Sequence, residues 1–163
     1  NCTGWKTDTG IELVPSGTIV GCNHRIFPQV DTRHTASGFA LRVAIANFIT
    51  ETTSMMPVSD PLPVEIAEVA VLASSQVTVS CYVKKDHASN LQTKLICPGG
   101  QISGVVADVE DEDTDTTDWQ QLSINFTPTD QGVVKIYVYL WVTASISTND
   151  QSIYIDDLVI SQS

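Results

Sequence analysis

The 163 residues can hide roughly 70% of the surface that the unfolded chain would expose, enough for a core of their own. Length alone predicts a single domain over residues 1–163. With 8 Lys and Arg against 19 Asp and Glu, a net charge of −11, the chain lacks the basic clusters that hold nucleic-acid phosphates or anionic membranes. No run approaches the ~20 apolar residues of a spanning helix, so no membrane insertion is expected.

Almost every segment alternates apolar and polar residues. That period of two puts successive side chains on opposite faces of a strand, and no segment has a helical period. In chain order the predicted strands cover residues 11–14, 18–22, 39–46, 64–72, 77–84, 93–97, 120–126, 133–143 and 152–160. Turn chemistry separates them: Pro15-Ser16-Gly17, Ser37-Gly38, Ala73-Ser74-Ser75, Pro98-Gly99-Gly100 and the stretch from Thr127 to Gly132. Short strands at such spacing predict an all-β protein, a two-sheet antiparallel jelly-roll β-sandwich. Residues 47–63, rich in Thr, Met and Pro, and the acidic residues 107–118 read as irregular connections.

None of the four cysteines sits in a C-x-x-C pair, which leaves zinc ribbons and thioredoxin motifs unsupported. If the segments around Cys81 and Cys97 form a hairpin centred near Ser89, the two thiols fall opposite each other on the apolar parity. They then form either a disulfide, worth about 3 kcal/mol by loop closure, or two buried free thiols. Cys2 and Cys22 are a second candidate bridge. Disulfides would favour an extracellular or virion setting. The chain opens at Asn1 with neither Met nor an apolar leader, which reads as a processed segment.

In the acidic run, Asp111, Asp113 and Asp115 lie two apart, a spacing at which loop carboxylates can converge on Ca²⁺. An EF-hand is excluded, because Thr116 stands where the turn needs Gly and Leu122 where the last Glu belongs. The alternative is a solvated acidic loop. Glu110, Asp111 and Glu112 make a poor glycosidase pair, since nothing nearby would keep one carboxyl protonated beside its ionised neighbour. His24, His34 and His87 sit in polar, turn-like surroundings with no nucleophile motif. No enzymatic activity is expected.

The strand from Val133 to Thr143 is the most pointed signal. One face carries Val134, Ile136, Val138, Leu140 and Val142; the other carries Lys135, Tyr137, Tyr139 and Trp141. Solubility alone would place Thr, Ser, Lys or Glu outside, so three aromatics suggest a recognition surface.

Three segments, in order, resemble the jelly-roll carbohydrate-binding modules of the family 4, 9 and 22 type. They are HTASGFALRV from His34, WQQLSINFTPT from Trp119 and IYIDDLVI from Ile153, and VTVSCYVKK from Val77 fits between them. Similar motifs occur in phage tail and capsid-surface proteins. The resemblance implies a sheet face that binds a saccharide, comprising Tyr82, Tyr137, Tyr139 and Trp141 flanked by Lys84 and Lys135. It also implies a structural Ca²⁺ held by Asp156 or Asp157, although the family's N-terminal N-G-x-F-E ligand segment has no counterpart in this sequence.

Three readings of the aromatic row follow. It binds a glycan in a non-catalytic extracellular or virion-surface module; or it packs against a neighbouring subunit of a virion or filament; or the 47–63 loop covers it, through Met55, Met56 and Val58.

Overall fold

The computed structural model describes residues 22–47, 62–89, 91–114, 116–142 and 150–163. Its strands are β1 (Cys22–Gln29), β2 (Ala40–Asn47), β3 (Leu62–Val71), β4 (Val77–Lys85), β5 (Leu91–Cys97), β6 (Val109–Glu112), β7 (Gln120–Phe126), β8 (Gly132–Val142) and β9 (Asp150–Gln162). They form a five-stranded sheet in the order β1-β2-β9-β4-β7 and a four-stranded sheet in the order β3-β8-β5-β6. Every pairing between these strands is antiparallel. The all-β jelly-roll sandwich expected from the alternation is the fold observed.

The core lies between the sheets and follows directly from strand parity. On β4, Val77, Val79, Cys81, Val83 and Lys85 are buried while the residues between them are half-exposed. On β8, Val134, Ile136, Val138 and Leu140 point inward; on β7, Leu122, Ile124 and Phe126 do the same. Apolar burial of this kind is the main favourable term in folding.

Two strands escape the alternation rule. In β1, the pattern CNHRIFPQ has no apolar period, and pairing with β2 alone defines it as a strand. The other, β6, is the acidic VEDE, read from sequence as loop. It pairs with β5 at the sheet margin, where charged side chains discourage pairing with foreign strands.

The hairpin expected to join Cys81 to Cys97 does not form. The chain crosses between sheets after β4, so β4 pairs with β7 and β9, whereas β5 pairs with β6 and β8. Cys81 and Cys97 are therefore free, buried thiols, not a disulfide. Burial, with a smaller contribution from Asp111, pushes the Cys81 thiol up to about 12. Burial, with Asp108, pushes Cys97 up to about 11. Cys2 and the Cys22 side chain lie outside the described residues, and with them the second proposed bridge.

Candidate functional site: two outer faces

On the outer face of the four-stranded sheet, β8 presents Lys135, Tyr137, Tyr139 and Trp141, all half-exposed. Tyr137 and Tyr139 meet edge to face with centroids 5.8 Å apart, and Tyr139 and Trp141 repeat the arrangement at 6.0 Å. The aromatic quadrupole favours this geometry over a flat stack. The neighbouring strands set the borders. Tyr139 lies between Pro63 and Lys94, Tyr137 between Glu65 and Ile96, and Trp141 beside Gln92.

Polar groups fence the ladder on both sides. Lys135 Nζ donates to Glu65 Oε2 at 2.9 Å. Lys94 Nζ lies 5.6 Å from the Trp141 ring centroid and bridges Glu110 at 3.0 Å and Glu112 at 3.2 Å. Hydrogen bonds to Glu110 and then Glu112 hold the Lys94 ammonium above its usual range. Partial burial, with Tyr137 and Asp108 adding, raises the Tyr139 phenol, so it keeps its proton at neutral pH and remains a donor. Where Pro98 ends β5, the Gln101 side chain replaces the missing strand: it donates to the Lys135 carbonyl at 2.9 Å and accepts the Lys135 N–H at 2.8 Å.

Tyr82 and Lys84 belong to β4, in the other sheet, so the single face implied by the family resemblance divides in two. The Tyr82 ring is covered by the His34 imidazole, stacked at 3.5 Å and 13°, with Trp119 edge-on to His34 at 5.7 Å. Lys84 Nζ donates to the Thr117 carbonyl at 2.9 Å. Beside them, Ser152, Tyr154 and Asp156 have outward parity yet are buried. Arg42 helps to cover them: its Nε donates to Ser152 Oγ at 2.8 Å and its guanidinium lies 5.8 Å from the Tyr154 centroid.

The closing Asp-Asp pair holds the β1–β2 connection in place. Asp156 accepts the His34 N–H at 2.8 Å through Oδ2 and the Asp157 N–H at 2.8 Å through Oδ1. Asp157 meets His34 Nδ1 at 2.7 Å and accepts from Thr35 Oγ1 at 3.1 Å. Its φ of 49° falls at a β-bulge, where the register against β4 shifts; a non-glycine residue in this region usually marks a local constraint. All four carboxylate oxygens have a protein partner at hydrogen-bond distance, so the pair anchors the β1–β2 connection whether or not it also serves the Ca²⁺ role that the family resemblance implies.

The carboxylates of the acidic run take different partners. Asp111 accepts the Ser123 N–H of β7 at 2.7 Å, Asp113 pairs with buried Lys85 at 2.9 Å, and Asp115 lies outside the described residues. Among the described residues, no three His, Cys, Asp or Glu side chains group as metal ligands. The loop residues Met55, Met56 and Val58 also lie outside the described residues.

The sequence put the three rings and Lys135 on one face of a strand, and left out Glu65, Gln92 and Lys94 beside them. The outward parity of Gln92 and Lys94 was legible, but not that β5 would pair with β8. No sequence pattern signalled the stacking of His34 on Tyr82, because that contact joins the β1–β2 connection to a strand far along the chain.

No family model and no curated protein matches the chain. Among solved structures it is similar to TmCBM61 in complex with beta-1,4-galactotriose, at 17% identity over 86% of this chain and 82% of that one, with a TM-score of 0.51. It also aligns with the CBM22-1 xylan-binding domain of Paenibacillus barcinonensis Xyn10C, at 16% identity over 90% and 88% of the two chains, TM-score 0.44. A CBM4 structure aligns at 14% identity over 91% and 96%, TM-score 0.44. The likeness to TmCBM61 shows a shared fold, the jelly-roll β-sandwich. None of these three structures is a phage tail or capsid protein.

Proposed function

We propose that this protein is a non-catalytic glycan-binding module acting outside the cell, with its ligand lying along β8 on Tyr137, Tyr139 and Trp141. The observation that carries the reading is the half-exposed ladder of three rings bordered by Lys94, Gln92 and Glu65. Sugar rings present C–H faces that stack on aromatics, and polar neighbours orient their hydroxyls. TmCBM61, which shares the fold, was solved with a bound galactotriose, and this supports a saccharide as the ligand class. Tyr82 and Lys84 are assigned to the fold instead, because His34 and Thr117 already engage them.

If each platform hides ~70 Å² of apolar surface, three rings supply about 5 kcal/mol, much of it offset by lost rigid-body freedom. Single-site binding is then weak, between about millimolar and tens of micromolar, and multivalency strengthens it. The test is a glycan array probed with the wild type and with Trp141→Ala. A specific signal that the substitution removes supports the reading. An array with no signal for the wild type overturns it.

A further inference from the structure

The core contains an ion pair that glycan binding does not use. Lys85 Nζ lies 2.9 Å from Asp113 Oδ2, and both side chains are only 1% exposed. Lys85 ends β4 of the five-stranded sheet, while Asp113 directly follows β6 of the four-stranded sheet, where its N–H donates to the Thr93 carbonyl at 3.0 Å. The contact therefore ties one sheet to the other. Apolar residues of similar volume generally stabilise a core as well as a buried ion pair does.

The hydrogen-bond inventory is lopsided. Oδ2 receives both Lys85 Nζ and the Thr93 hydroxyl, the latter at 2.8 Å, while Oδ1 is buried with no partner among the described residues. Lys85 Nζ also donates to the Leu91 carbonyl at 2.7 Å. An unpaired carboxylate oxygen in the interior is costly. Two donors on Oδ2 are placed to hold that oxygen if it departs.

We propose that Lys85 and Asp113 condense to form an intramolecular isopeptide bond that cross-links the two sheets. Proton transfer within the pair converts ammonium and carboxylate to amine and acid. The Nζ lone pair attacks Cγ, a C–N bond forms and the Cγ–Oδ2 bond breaks. Oδ2 carries away two protons originating on Nζ and leaves as water, held by the Thr93 hydroxyl as it goes. Nothing is oxidised or reduced, and no co-reactant is required. The product suits the site: its amide N–H faces the Leu91 carbonyl, Oδ1 becomes a neutral carbonyl, and two buried charges disappear.

The test is the intact mass of the full chain in denaturant, followed by a tryptic map. The wild type is expected to be lighter than its sequence by one water, with the peptide carrying Lys85 joined to the peptide carrying Asp113. Lys85→Arg and Asp113→Ala are expected at full mass, and Thr93→Val is expected to lose its water more slowly. The wild-type result decides even if those variants fail to fold. A wild type at full sequence mass, or a water lost elsewhere in the chain, overturns the proposal.

Discussion

The outer faces of the two sheets start from the same material and end differently. Each carries aromatics on the outward parity of a long strand: Tyr137, Tyr139 and Trp141 on β8, and Tyr82 on β4 with Tyr154 on β9, opposite Lys84. On the five-stranded sheet the connection after β1 folds back, so His34 covers Tyr82, and Asp156 and Asp157 hold it there. On the four-stranded sheet the rings meet one another edge to face and, among the described residues, stay half-exposed. An outward aromatic is thus a platform only if the protein's own loops leave its face uncovered.

Perturbations should separate the two faces, beginning with the core they share. As pH rises from the unfolded thiol value of 9.0 towards the folded values of about 11 and 12, unfolded Cys97 and Cys81 lose protons that the folded state retains. Stability is therefore complete below about pH 9 and falls above it, by up to about 1.4 kcal/mol per pH unit for each thiol. Urea unfolding across that range, repeated with Cys81→Ala, measures the slope; a flat profile would contradict buried thiols. Both cysteines should also resist alkylation in the native protein and react in urea, as read by peptide mapping.

Asp156→Ala should cost about 3 kcal/mol, because the N–H groups of His34 and Asp157 both lose their acceptor. Glycan affinity of the folded variant should stay within about twofold of wild type, since the proposed ligand site lies on the other sheet. Loss of binding there would move the site to the five-stranded sheet.

Trp141→Ala should show the reverse pattern, weakening glycan binding by about 2 kcal/mol while changing stability by less than about 1 kcal/mol. Titration calorimetry beside thermal melts resolves the two effects. For Tyr82→Ala, loss of the His34 stack should cost about 1 kcal/mol of stability and leave affinity unchanged. The smallest effect belongs to the ladder's border: Lys135→Ala, breaking a half-exposed pair with Glu65, should cost under about 1 kcal/mol.

Parity made much of this molecule legible. The strands at β4, β7 and β8 follow from their alternation, and with them the inward valines and the outward ladder. Pairing did not follow, because alternation states which face a residue occupies and not which strand lies beside it. Cys81 and Cys97 show the cost of that gap: both were correctly placed inward, but on strands wrongly taken as partners. The acidic strand β6 was missed for a different reason. Its four residues, with three carboxylates, have little intrinsic preference for a strand, and pairing with β5 overrides that preference.

One carboxylate of β6 also bears on how the protein behaves in company. Asp111 reaches from the margin of one sheet to the Ser123 amide on the margin of the other. A backbone donor that a passing peptide would otherwise engage is thereby taken, and the surrounding negative charge repels strands that approach. On this flank the sandwich should neither template fibrils nor recruit extended segments, and a concentrated solution should tolerate crowding of one molecule beside another.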